Sequence, residues 1–285
     1  MNHDDTPRPQ ALPLPIVAAP DPAPAELAPL LDAPAARLWE ETPPAAGALR
    51  ERLLGRLAQS RAAAAGMVTR RGAARRAEAA APGVAITPLY QAEPGRPRRA
   101  GEPLRARLVE LAPGAAWHGP EAGVHREWLL LRGAATLAGE PLGERDYHVD
   151  PADAPAATLA SDRGALVFLR ESAEPVQPGD AGFTVRDAEA GWPEFAPGIR
   201  RRVLWQREGR AALLYLAAPG ASVPRHDHGH DEECLMLQGE LFLDDLLPRA
   251  GDYQLAPAGT GHALTETDTG AVIYAHGDLD LRFLP

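Results

Sequence analysis

Three separated stretches of this chain recur at one constant distance, and that repeat restricts the fold more than any other feature. Leu108-Val-Glu-Leu-Ala-Pro-Gly114 resembles Leu214-Tyr-Leu-Ala-Ala-Pro-Gly220, and Glu127-Trp-Leu-Leu-Leu-Arg-Gly133 resembles Glu233-Cys-Leu-Met-Leu-Gln-Gly239. Asp146-Tyr147 followed by Pro151 resembles Asp252-Tyr253 followed by Pro257, and all three pairs are 106 positions apart. One offset shared by three matches implies two copies of one folding unit. Each copy consists of short β-prone runs between turn residues: Arg107–Leu111, Trp128–Leu131 and Ala165–Leu169, then Ala212–Leu216, Cys234–Leu237 and Val272–Ala275. Strands so short and so closely spaced predict an all-β fold of two tandem barrels.

The chain divides accordingly into an extension over 1–83, a first barrel over 84–175 and a second over 176–285. Residues 7–34 carry nine prolines, from Pro7 to Pro34. Proline at that density removes backbone donors and predicts an extended, disordered arm. A helix follows, with Thr42 as N-cap and Pro43 and Pro44 in the first turn, where a missing N–H costs little. Leu49, Leu53 and Leu57 recur at helical spacing on one face. Arg50, Arg52, Arg56 and Arg61 make the rest basic, as do Arg70, Arg71, Arg75 and Arg76 beyond it. We read these arginines as a solvated face, with a partner-binding surface as the alternative.

The second copy carries the chemistry. Gly220, His226, His228, Glu232 and Gly239 form the pattern G-x5-H-x-H-x3-E-x6-G, and Gly251, Pro257, Gly259 and His262 form G-x5-P-x-G-x2-H. Side chains alternate along a strand, so His226 and His228 face the same interior. A turn over Gly229–Asp231 returns the chain so that Glu232 enters the neighbouring strand, and Pro257 with Gly259 turns His262 in from another. Three imidazoles and one carboxylate can then converge on one divalent ion, a mixed set that suits Zn, Fe, Mn, Ni or Cu. Glu233 competes with Glu232, but neighbours on a strand face opposite ways, and the gap to Gly239 favours Glu232. His230 reads as a turn bystander, His148 and His276 as bystanders too, and Cys234 as a buried, inert thiol. Displacing the four ligands by the repeat gives Pro120, Ala122, Arg126 and Ala156, so the first copy has lost its site. His118 and His125 lie nearby but not at ligand spacing.

Both half-motifs resemble the cupin family, which implies two cupin barrels (double-stranded β-helix, jelly-roll). Trp192-Pro-Glu-Phe-Ala-Pro-Gly198, Arg201-Arg-Val-Leu-Trp205 and Pro219-Gly-Ala-Ser-Val-Pro-Arg-His-Asp-His228 further resemble the ChrR-type cupin, the sensor domain of a class of bacterial anti-sigma factors. That resemblance is strong over about 183–280 and weaker over 84–170. It implies His226, His228, Glu232 and His262 as metal ligands, with zinc typical of the anti-sigma members and Fe, Mn or Ni as alternatives. Ala48-Leu-Arg-Glu-Arg-Leu-Leu-Gly-Arg-Leu57 also resembles the helix joining sigma-binding and sensor domains there, which implies an ECF-type sigma factor as partner. The zinc finger of those sigma-binding domains needs paired cysteines, and Cys234 is the only one here.

The formal net charge of -10 argues against nucleic acid as a direct partner. No apolar stretch approaches the roughly 18 residues of a membrane span. His3, Asp4 and Asp5 stand where a secretory signal would be basic, and with a single cysteine this predicts a cytoplasmic protein. Three functions remain: a metal-bound regulatory sensor, a metal-dependent enzyme (a dioxygenase or related) acting on a small molecule in the second barrel, and a structural bicupin. A homodimer is compatible with each.

Overall fold

The computed structural model describes residues 50–55, 57–58, 66–120 and 122–284. The proline-rich arm, Thr42, Pro43, Pro44, Leu49, Arg56 and Arg61 lie outside them. Residues 50–55 and 57–58 are helical, as the leucine spacing predicts, and Leu53, Leu54 and Leu57 are exposed. Among the described residues no helix is long and apolar enough to cross a membrane.

From Val68 onward the chain is two β-barrels. The first is built on an antiparallel sheet of seven strands, in hydrogen-bonded order Phe183–Val185, Tyr147–Asp150, His125–Gly133, Ala165–Ser172, Pro103–Leu111, Val84–Gln91 and Glu78–Ala81. The second repeats that order with Val68–Arg70, Tyr253–Ala256, Glu232–Gly239, Ala271–Asp278, Arg210–Ala217, Ile199–Arg207 and Glu194–Ala196. The repeat reaches the irregularities. Leu131 and Leu237, one repeat apart, are both bulged out of the pairing with the adjacent strand. Gly133 and Gly239 both take positive φ, and a side chain at either would strike the backbone oxygen of Gly164 or Gly270. Only glycine fits such a position, which explains that element of the motif.

The outermost strands are exchanged. Val68–Arg70, which precedes the first barrel, pairs with Tyr253–Ala256 of the second. Phe183–Val185, which precedes the second, pairs with Tyr147–Asp150 of the first. Each arrives with an arginine held by the aspartate of the Asp-Tyr repeat. Arg71 Nη1 donates to Asp252 Oδ2 at 2.8 Å, and Arg186 Nη1 to Asp146 Oδ2 at 3.0 Å. An unpaired sheet edge is a liability, and each barrel has its edge covered in this way.

Alternation along the strands divides the residues between two interiors. Val109, Leu111, Trp117, Trp128, Leu130 and Leu169 fill the first barrel. Ala106, Leu129, Tyr147 and Phe168 face the other way and pack against Leu214, Leu235, Tyr253 and Tyr274. The two large sheets therefore share one apolar layer. A charged knot sits within it. Tyr147 donates to Glu127 Oε2 at 2.5 Å and Tyr253 donates to Glu233 Oε1 at 2.7 Å, the same contact one repeat apart. Arg170 joins the copies, donating to Glu127 Oε1 at 2.7 Å and, through Nε, to Glu233. Burial pushes the Glu127 carboxyl up, but His276 and Arg170 outweigh it and hold Glu127 well below the usual range.

Candidate metal centre

The strand His226–Asp227 pairs with Gly261–His262, setting His226 opposite His262. Gly259 takes positive φ, and Thr260 N donates to Pro257 O at 3.1 Å, closing the tight turn expected before His262. His228 follows His226 on the same face, and Glu232 opens the next long strand. His226, His228 and His262 are buried, with ring centroids 5.4 Å (226 to 228), 5.7 Å (226 to 262) and 5.1 Å (228 to 262) apart. His228, Glu232 and His262 offer donor atoms within 4.8 Å of one another, the only such group among the described residues. His226 stands beside that trio rather than inside it.

Hydrogen bonds fix the tautomers. His226 Nδ1 lies 3.0 Å from Pro224 O, and a carbonyl only accepts, so Nδ1 carries the proton. His262 Nδ1 donates to Asp244 Oδ2 at 3.0 Å. Thr260 Oγ1 gives its proton to Pro257 O at 2.6 Å, so toward His228 Nδ1, at 3.3 Å, it accepts. Each Nδ1 is thus protonated and each Nε2 keeps its lone pair. Oriented second partners of this kind are what metal-binding histidines require. His228 Nε2 is buried without a hydrogen-bond partner, 3.5 Å from Glu232 Oε1. These residues fit a divalent cation with nitrogen and oxygen ligands.

Electrostatics favour the neutral form of His228. Burial pushes His228 below the ordinary imidazole value, with Glu232 pulling the other way and the other two rings adding to the shift. Asp244 is held below the carboxylate range. Burial raises it, but bonds from His262 and from the N–H groups of Ala263 and Leu264 prevail.

Motif reading did not find Asp244 and Thr260. Asp244 has a positive φ of 55°, a conformation that aspartate tolerates better than most residues, and Asp244-Asp245 was its only trace in the sequence. Glu233 faces the layer between the barrels, as strand alternation predicts. His230 bonds Asp278 and is not in the cluster. His148 is held by Thr184 and Asp150, and His276 is buried in the shared layer beside Trp205. Cys234 lies beside the site: its Sγ donates to Glu232 Oε1 at 3.6 Å, and burial pushes the thiol well above its usual value.

Beside the cluster lies a chamber of about 80 Å³. His226, Glu232 and His262 line one side, and Phe195, Tyr215, Leu241 and Ile273 line others. Burial, and then the charge of Glu232, raise the Tyr215 phenol. Tyr215 and Cys234 therefore stay protonated at neutral pH, each with a proton to donate.

Residues 180–280 match the ChrR cupin-like domain family. The second barrel is a ChrR cupin-like domain. No curated protein matches the chain. Among solved structures, a protein provisionally named as glyoxylate-induced, from Pseudomonas aeruginosa, is similar with a TM-score of 0.60 at 13% identity, covering 75% of this chain and 89% of that one. A protein provisionally named a dioxygenase, from Nostoc punctiforme, gives 0.57 at 14%, covering 77% and 87%. A Bacillus subtilis oxalate decarboxylase studied for its Mn(II) centres gives 0.55 at 16%, covering 74% and 77%. At such identities the likeness concerns the fold alone, which is that of the bicupins.

Proposed function

We propose that the ChrR cupin-like barrel holds one divalent metal ion through His226, His228, Glu232 and His262, and that the chain is a metal-dependent sensor of a small molecule bound in the adjoining chamber. The observation that carries this reading is the tethering of all three Nδ1 atoms, which leaves the three Nε2 atoms free to bind an ion, with those of His228 and His262 grouped with the Glu232 carboxylate. Bound there, the ion would supply a Lewis-acid centre at the chamber wall. The chain's own contribution is to orient the rings, keep His228 neutral and exclude water with an apolar lining. The chamber has room for only a few water-sized groups, so the molecule it accepts is small. The regulatory output rests on the ChrR family match and on the exposed Leu53, Leu54 and Leu57, an apolar helix face suited to an ECF-type sigma factor.

Catalysis is the second reading, favoured by the chamber reaching His226, Glu232 and His262 directly. Metal analysis of untagged protein purified without chelator tests the common core of both. About one ion per chain is expected, and His226→Ala or His262→Ala should lose it, while His230→Ala keeps it. Two tightly bound ions, or unaltered metal in His262→Ala, would refute the assignment. Zinc together with direct binding of a purified sigma factor supports the sensor. Iron or manganese with no such binding supports the enzyme.

A further inference from the structure

The first barrel has not simply lost its site. Register sets Arg105, Glu171, Arg126 and Asp150 in one row across four neighbouring strands. Arg126 stands one repeat before Glu232. The same row of the second barrel pairs Glu232 with Ala256 and Ala211 with Gly277, which are small residues that leave the interior open. In the first barrel the row is filled with charge, and Arg107 joins it from two positions along the strand.

The charges do not satisfy one another. Arg105 Nη2 donates to Glu171 Oε1 at 2.7 Å, and Arg107 Nη2 to the other oxygen of the same carboxylate. Arg126, fully buried, donates through Nη2 to Pro155 O at 2.7 Å and Ala154 O at 3.2 Å. Asp150 is engaged by Trp128 Nε1 at 2.9 Å and His148 Nε2 at 3.3 Å, and forms an ion pair with Arg126 Nε at 3.5 Å without a hydrogen bond. Four buried donors therefore have no hydrogen-bond partner: Nε of Arg105, Nε of Arg107, and Nε and Nη1 of Arg126. Three guanidinium groups face two carboxylates, an excess of one positive charge. Buried charged donors left unpaired are costly, and an anion would relieve that cost with charge-assisted bonds. The row opens to solvent at Arg105, whose side chain is 39% exposed.

We propose that the mouth of the first barrel is an anion site in which Arg105, Arg107 and Arg126 bind a small oxyanion, a carboxylate or inorganic phosphate. The two barrels then carry complementary sites at equivalent places, a cation held by imidazoles in one and an anion held by guanidiniums in the other.

The test is calorimetric titration of the full chain, as purified, with inorganic phosphate and separately with acetate, sodium chloride holding ionic strength constant. Saturable binding of at least one of them near one per chain is expected. Arg107→Leu and Arg105→Ala install the residues the second barrel carries at those positions, Leu213 and Ala211, so the barrel accommodates them. Each should weaken binding by about tenfold or more, whereas Arg132→Ala, at an exposed arginine, should not. His262→Ala should keep the anion while losing the metal. Absence of saturable binding for both anions would overturn the proposal, as would binding unchanged in Arg107→Leu and Arg105→Ala. Binding lost in His262→Ala would place the anion on the metal and overturn it as well.

Discussion

Glu232 and Glu233 are adjacent in the chain but point into different interiors. Glu232 lies 3.5 Å from His228 Nε2 inside the second barrel, whereas Glu233 faces the shared layer, where Tyr253 and Arg170 hold it. Exchanging either for glutamine should separate metal binding from stability. Glu232→Gln should lose metal affinity with little change in the melting temperature of the metal-free chain. Glu233→Gln should keep one metal per chain but destabilise it by about 3 kcal/mol or more, because Arg170 loses one of its two buried carboxylate partners. Metal analysis and denaturant unfolding of both variants read this directly. Metal loss in Glu233→Gln alone would reverse the assignment.

Asp244 fixes the His262 ring through Nδ1 and leaves Nε2 free for an ion. Asp244→Ala should lower metal affinity by about 10- to 100-fold, the usual cost of removing such a partner. Asp244→Asn, which can still accept from His262 Nδ1, should recover part of it. A chelator competition assay measures both, and equal affinity in Asp244→Ala and the parent chain would remove Asp244 from the centre.

Much of this was legible in the sequence, for identifiable reasons. The 106-residue offset fixed the pairing of the large sheets, because equivalent residues keep their register down to the bulges at Leu131 and Leu237. Period-two alternation separated Glu232 from Glu233. The ligand spacing placed His226, His228 and His262 around one point. What stayed hidden depends on contacts between residues far apart in the chain. Nothing near Val68 announces a pairing with Leu255, since three residues of edge strand carry too little pattern. Asp244 reaches His262 from 18 positions away in the chain. Arg126 was legible as a lost ligand, but its unpartnered nitrogens emerge only when three other strands are packed around it.

The exchanged edge gives a prediction about truncation. A chain beginning at Glu78 keeps every residue of both repeats but loses Val68–Arg70 and the bond from Arg71 to Asp252. It should uncover Tyr253–Ala256 as a free edge, melt at a lower temperature and aggregate more readily than the parent. The destabilised part should be the second barrel, although the deletion lies before the first. Hydrogen exchange localises the effect, and faster exchange confined to the first barrel would contradict it.

Acid should dismantle the metal site and the layer between the barrels together. Metal binding needs His226, His228 and His262 neutral, so protons compete with the ion. His228 is held below its unfolded value of about 6.5, chiefly by burial. Below that pH the unfolded chain binds protons that the folded chain resists. The stability tied to neutral His228 is therefore complete above about pH 6.5 and is lost as pH falls toward the folded value. His125, on the first barrel's side of the shared layer, is lowered by burial as well and acts with the same sign in the same range. The depressed carboxylates Glu127 and Asp244 act in that direction too, but only nearer their own lower range. Metal content and melting temperature should thus fall together on mild acidification, in two separable parts. His125→Gln should blunt the acid loss of melting temperature while leaving the pH of metal release unchanged. Chelation at neutral pH should remove the metal-dependent part and leave the His125 part. Both are read by metal analysis and thermal unfolding from pH 8 down to about pH 4, a range that brackets free imidazole. Full metal retention at the acid end, or a His125→Gln variant that releases metal at a different pH, would break this account of how the two sites divide the response.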